Sequence, residues 1–328
     1  EHFKIVTESG GTLNGTTNRD RTNYFETLPS NQLETALWLE ADRVGFFLNA
    51  VTQEKFEIQR ATVKNEKAQN YDNRPYGRFS EINSGGLYPY GHPYSWLTIG
   101  RVEDLDRVDV NDLKSFFLRW YGPNNATLTV GGDVDPKEVV KLVEKYFGVI
   151  PRGPAVEKME LDAPVLDQDR YVSYVDQNIR FPALLFTYPT VPRFHPDEAP
   201  LDCLAEILGQ GKSSYFYKQF VKTQKAIQAS ANHPTSELAG EFFMFVLPFP
   251  GQTLADFETE MRTILTQFEE AGVTEEDILK FKANYESNTI NGFATVSGKV
   301  SQLASYETFL GNPNAIKTDL ERYMNVTK

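Results

Sequence analysis

Residues 51–66 read VTQEKFEIQRATVKNE, and their apolar and polar positions fall into a helical pattern. Thr52 has the side chain of an N-cap, and Phe56, Gln59, Val63, Glu66 and Asn70 follow at steps of three and four, which places them on one stripe of a helix. A stripe that carries Phe56 and Val63 is expected to face a core, and Glu66 lies on it. Burying an unpaired carboxylate is costly, so Glu66 is expected to be exposed, paired or bound to a metal. Further along, residues 110–121 predict a helix that feeds a strand at 126–130. Alternating or continuous apolar runs at 171–175, 183–188 and about 226–248 predict more strands, with helices at 196–208 and 213–221 between them.

The chain repeats itself. VTQEKFEIQRATVKNE at 51–66 aligns with VTEEDILKFKANYESN at 273–288, and LPSNQLETALWLEADRV at 28–44 aligns with LPFPGQTLADFETEMRTI at 247–264. Glu66 is thereby matched to Asn288. A segment with three prolines, Pro151, Pro154 and Pro164, and many charges separates the copies. The reading is an α+β fold of two repeated α/β sandwich domains, each a mostly antiparallel sheet with helices on one face, spanning 1–158 and 159–328. In the second copy two strands and two helices precede the matched strand pair, whereas only a short helix at 3–8 precedes Thr12 in the first. The second copy also stops at residues 325–328 on a helix-start signal. The chain is therefore expected to be a fragment, incomplete at the N-terminal end of its first domain and at the C-terminal end of its second.

Composition narrows the functional classes. The formal charge of −12 provides no basic stripe, so nucleic acid is not expected as a partner, and no apolar run has the length of a membrane span. The single cysteine, Cys203, sits in the apolar run Leu201, Leu204, Ile207, Leu208 and reads as a core residue; one cysteine excludes an internal disulfide. Gly10-Gly11 and Gly131-Gly132 lack the rest of a phosphate-binding pattern and read as turn or strand-end residues. The compartment is not legible, and the bacterial periplasm is carried as a working expectation.

The stretches QRATVKNEKAQNYDNRPYG (59–77), GGTLNGTTNRDRTNYFETLP (10–29), HPYSWLTIGRVEDLD (92–106) and YGPNNATLTVGGDVDP (121–136) occur in order, and with them nearly the whole chain resembles the pitrilysin/insulinase family of zinc peptidases. The resemblance implies a zinc-dependent metalloendopeptidase that cleaves extended peptides inside a clamshell closed with a partner half. It places the third zinc ligand at Glu66. Seven residues before it, where the family often has a helper Glu, this chain has Gln59, which can orient a ligand or water by hydrogen bonding but cannot take a proton. Leu13, Asn14, Gly15 and Thr16 fall on the edge strand to which a substrate peptide adds as a further strand. The family's non-catalytic half carries an Arg/Tyr pair; Val221 and Gln228 stand there in this chain, so a partner half is expected to supply that pair.

The chain lacks the family's zinc motif, H-x-x-E-H, in which two histidines four apart bind the metal and the Glu is general base. Its histidines, His2, His92, His195 and His233, include no pair at helical ligand spacing. The general base is expected upstream of Glu1, no zinc is expected to be held by these residues alone, and the chain as it stands is expected to be inactive. A non-catalytic peptide-binding or scaffolding subunit is the alternative, and a two-domain protein without a site is the blandest one.

Overall fold

Amphipathic runs become helices and two alternating stretches become antiparallel hairpins in the computed structural model, which describes all residues Glu1–Lys328. In chain order the elements are α1 (His2–Glu8), β1 (Thr12–Thr17), β2 (Thr22–Thr27), α2 (Leu33–Phe46), α3 (Gln53–Lys67), α4 (Phe79–Leu87), α5 (Val102–Arg107), α6 (Val110–Trp120) and α7 (Pro136–Phe147). They continue with β3 (Leu184–Thr190), α8 (Glu198–Gly209), β4 (Ala226–Asn232), β5 (Gly240–Pro248), α9 (Leu254–Ala271), α10 (Glu275–Gly292), α11 (Val296–Leu310) and α12 (Ile316–Met324). The order hairpin, helix, helix thus occurs twice, as β1–β2–α2–α3 and as β4–β5–α9–α10.

The residues group into two compact units. The first comprises Glu1–Gln69, Leu97–Lys158 and Gly292–Asn314, and the second Asn70–Trp96, Met159–Asn291 and Ala315–Lys328. Each mixes helices with a small antiparallel sheet, so the fold is α+β.

In the first unit β1 and β2 form a two-stranded sheet in the register Thr12↔Thr27 to Thr17↔Thr22. Gly10 turns the chain into β1 at φ 79°, and Gly11 follows where an added Cβ would lie 2.6 Å from the Thr27 carbonyl oxygen, so this close approach needs glycine. Behind the sheet, α2 buries Leu37, Leu39 and Ala41, and α1 buries Val6. Lys145 and Tyr146 of α7 both donate to Glu34 of α2 at 2.7 Å and hold its carboxyl below the usual range. Helix α6 starts at a capping box: the Asp109 carboxylate accepts the Asn111 and Asp112 amides at 2.6 and 3.0 Å, and that of Asp112 accepts the Asp109 amide at 2.8 Å. The segment 126–130, read as a strand, lies outside any ladder. No strand lies beside it, and Thr127 is bonded instead to Thr308 of α11 at 3.0 Å.

In the second unit β5 lies between β3 and β4, in the registers Leu184↔Val246 to Thr190↔Gly240 and Ala226↔Pro248 to Asn232↔Phe243. Alternate residues of β5, Phe242, Met244 and Val246, enter a core completed by Ala205 and Leu208 of α8, Phe216, Phe220, and Phe257, Met261 and Ile264 of α9. The α8 terminus lies so close to β4 that a Cβ on Gly209 would stand 1.8 Å from the Ala231 nitrogen. Residues 70–96 belong here because Phe79 packs edge-on to Phe245 at 5.6 Å and Leu87, Tyr88 and Tyr94 cluster with Ala239. Residues 171–175, also read as a strand, form none; the Tyr171 hydroxyl donates to Glu258 of α9 at 3.0 Å.

Phe257 is fully buried and stacks on Phe220 at 5.7 Å. Phe257→Ala is expected to lower the stability measured by denaturant unfolding by about 3–5 kcal/mol, while Ile58→Ala, at a position 61% exposed, is expected to change it by less than about 0.5 kcal/mol.

Candidate functional site

The cap expected at Thr52 is present: its hydroxyl accepts the Lys55 amide at 3.3 Å and opens α3. The side of α3 that meets its neighbours is not the one the sequence favours. Phe56, Arg60 and Val63 are half-buried and Lys67 is buried, whereas Gln59, Glu66 and Asn70 are exposed. One residue of helix is about 100° of rotation, so Gln59 and Glu66 point away from the packed side. That side is polar where it meets α5: Arg60 donates to the Val108 carbonyl and Lys64 to Asp106 at 2.7 Å. Glu66 is thus free of the burial penalty, in the first of the three states open to it, and Gln59 lies seven residues before it on the same exposed side.

Leu13, Asn14, Gly15 and Thr16 lie within β1, whose one ladder partner is β2. Leu13 is half-buried and the other three are exposed. Two main-chain donors of this strand are taken by amide side chains: the Gly15 N–H by Asn14 at 2.8 Å and the Thr16 N–H by Asn23 of β2 at 3.1 Å. Arg21 donates to the Thr16 carbonyl and hydroxyl at 3.0 and 2.6 Å, which fixes the far end of the hairpin. The strand has one edge outside any ladder, and because neighboring main-chain groups point to opposite edges, of these amides the Gly15 N–H, screened by Asn14, is the one on the open edge.

Glu66 offers one carboxylate, and nowhere do three His, Cys, Asp or Glu side chains converge as metal ligands would. Each histidine is engaged elsewhere. His2 Nε2 bonds the Leu39 carbonyl at 3.0 Å, His92 Nδ1 accepts the Tyr94 amide at 3.0 Å, and His195 Nδ1 accepts the Asp197 amide at 3.1 Å.

His233 is the center of a buried array in the second unit whose members are too far apart in sequence to be paired by periodicity. Its Nδ1 lies 2.7 Å from Asp202 Oδ1 and its Nε2 2.9 Å from the Thr190 hydroxyl, and the Tyr323 hydroxyl donates to Asp202 Oδ2 at 2.7 Å. Burial, followed by the nearby Asp202, raises the Tyr323 phenol well above its ordinary range. Tyr285 stacks on Tyr323 with ring centers 3.6 Å apart. Next to this array is a cavity of about 540 Å³ lined by Asp202, Glu206, His233, Phe243, Phe281 and Tyr285 among others. The order hydroxyl, imidazole, carboxylate is that of a nucleophile relay, but the His233 side chain has no solvent exposure and Thr190 does not line the cavity. The array ties α8, β3, α12 and the residue that follows β4 together. Cys203, buried as expected, has its thiol pushed up to about 12 by desolvation and is no nucleophile.

With these arrangements in view, the relatives of the chain are informative. Residues 107–285 match the family described as the peptidase M16 inactive domain. The chain is similar to the zinc protease PqqE of Helicobacter pylori, at 28% identity over 312 residues that cover 93% of this chain and 69% of that protein. Among solved structures it resembles a protease from Helicobacter pylori with a TM-score of 0.90 at 25% identity, over 99% of this chain and 78% of the other. It also shares its fold with the first half of the periplasmic protease PqqL from Escherichia coli, with a TM-score of 0.69 at 18% identity, over 96% of this chain and 70% of that one. The family match spans more than half of the 328 residues and agrees with the order of helices and antiparallel hairpins, so the chain belongs to the peptidase M16 family, in which its match is to the inactive domain.

Proposed function

We propose that this chain is the substrate-holding part of a zinc-dependent metalloendopeptidase that acts on extended peptides within a clamshell formed by two halves. The observation that carries the reading is the edge of β1 outside any ladder, at Leu13, Asn14, Gly15 and Thr16. A peptide added there as a strand is held by its main chain, so the site selects extended conformation over sequence. Asn14 gives up the Gly15 amide as the peptide arrives, whereas the Thr16 amide, bonded to Asn23 of β2, is on the paired side. In the assembled enzyme Glu66 supplies one carboxylate to the metal from its exposed side of α3, with Gln59 available to orient a neighboring group by hydrogen bonding. The paired histidines and the general base come from residues other than these 328, and the chain alone does not cleave peptides. The repeated halves, 1–158 and 159–328, have unequal roles, since Asn288 stands where the first has Glu66; the partner half supplies the Arg/Tyr pair that Val221 and Gln228 do not. The periplasm is the proposed compartment, by similarity to the PqqL protease; no helix is long and apolar enough to cross a membrane.

A second reading, a peptide-binding or scaffolding subunit without catalysis, is favored by one observation, the absence of H-x-x-E-H from the chain. Both readings share the edge strand. Fluorescence anisotropy with an unstructured peptide tests it: N-methylation at alternate residues, which removes main-chain donors and leaves the side chains, is expected to weaken binding at least about tenfold. Equal binding of methylated and plain peptides contradicts the edge-strand reading.

Metal analysis and cleavage then separate enzyme from subunit. The 328-residue chain is expected to retain no stoichiometric zinc, and the full-length protein is expected to retain it and to lose it on Glu66→Gln with the fold intact. With its partner half the full-length protein is expected to cleave quenched extended peptides in a chelator-sensitive way and to leave a folded protein uncut. A full-length protein that neither holds zinc nor cleaves under any pairing is the non-catalytic subunit.

A further inference from the structure

Glu26 of β2 lies directly across from Leu13 of the edge strand, and neither of its carboxylate oxygens has solvent contact or a hydrogen-bond partner in the ionized form. The charged groups that reach it come from α2: Glu40, followed by the more weakly acting Arg43. Arg43 is already committed, donating to Glu40 from Nε at 3.2 Å and from Nη2, and holding its guanidinium 3.8 Å from the center of the Tyr24 ring. On the same strand as Glu26, Tyr24 is hydrogen-bonded to Tyr121 rather than to Glu26, and from α1 His2 reaches the Leu39 carbonyl. Glu26 and Glu40 are therefore two carboxyl groups side by side with one guanidinium, which is bonded to Glu40. As two carboxylates they have no proton to share and repel each other; with one proton between them they form a strong hydrogen bond.

We propose that the β1–β2 hairpin is held on α2 by a proton shared between Glu26 and Glu40, and that losing this proton loosens the edge strand and weakens peptide capture. The consequence for peptides rests on the reading of β1 as the substrate edge; the contact itself does not. Burial, and after it the neighboring Glu40, raises the Glu26 carboxyl from 4.5 to about 7. The folded chain thus binds more protons than the unfolded one between these values, so the stability contributed by the contact is complete below about 4.5, falls as pH rises, and is lost above about 7.

Hydrogen–deuterium exchange of the 328-residue chain tests this at about pH 5.5 and about pH 8, with protection corrected for intrinsic exchange rates. Protection of residues 12–27 is expected to fall about tenfold between the two in the native chain. It is expected to stay constant in Glu26→Gln, whose amide supplies a permanent donor to Glu40. Glu40→Gln is a second route to the same result should the first variant fold poorly, and His2→Gln is expected to keep the native pH dependence. A native hairpin indifferent to pH, or an equal loss of protection in Glu26→Gln, overturns the proposal. If protection follows the expected pattern while the affinity for the plain peptide does not change with pH, the shared proton stands and the edge-strand reading fails.

Discussion

A β-strand carries hydrogen-bonding groups along both edges, and β2 covers only one edge of β1. Much of the first unit is organized around this imbalance. On the open side Asn14 screens the Gly15 amide with its own side chain, and the strand is exposed apart from Leu13. A sheet of two strands has little core of its own, so its position depends on α1 and α2, and on α2 the nearest polar anchor is the cluster of Glu26, Glu40, Arg43 and Tyr24. The second unit meets the same requirement differently, by placing β5 between two neighbors and burying its alternate side chains under α8 and α9.

Asp202 and Glu198 of the second unit and Glu66 and Glu26 of the first are partnered in opposite ways. In the second, Asp202 spends one oxygen on His233 and the other on Tyr323, while Glu198 accepts from Arg322 at 3.0 Å, from the Phe194 amide at 2.7 Å and from the Thr235 hydroxyl at 2.6 Å. Glu198 is buried and Asp202 half-buried, and carboxylates with every oxygen occupied rigidify a fold and leave little for a ligand. In the first unit Glu66 is exposed and Glu26 has no donor in its ionized form. Membership in a peptidase family and similarity to a protein named as a zinc protease meet here a chain that has one carboxylate at the expected ligand position and no histidines to join it.

Much of this was legible in the sequence because it is local. Thr52 as cap, the central pair β4 and β5, and the burial of Cys203 follow from side-chain type and period, and the strand β1 from the resemblance. The resemblance carried by residues 10–29 and 59–77 supplied the family. What periodicity does not encode is the partner. Residues 126–130 and 171–175 have strand-like patterns, but a strand exists only where another lies beside it. On α3 the stripe 56, 59, 63, 66 and the stripe 56, 60, 63, 67 differ by one residue, and the second is the packed one because Arg60 and Lys64 find Val108 and Asp106. Charged residues looked like the solvent side and serve as the contact side. The array of Thr190, Asp202, His233 and Tyr323 gave no signal, since its members come from four separate stretches of the chain, and neither did Glu26, whose neighbor Glu40 is on a different element.

The central claim is that β1 receives the main chain of an extended peptide. Isotope-edited NMR of the chain saturated with such a peptide tests it most directly, through intermolecular contacts between α-protons, which lie close only in paired antiparallel strands. The account predicts these contacts at alternate residues of the stretch Leu13, Asn14, Gly15 and Thr16, those whose α-protons face away from β2, with amide shifts confined to β1 and β2. Contacts absent from β1 and shifts centered instead on Glu206, Gln210 and Asn232 at the cavity of the second unit would contradict it.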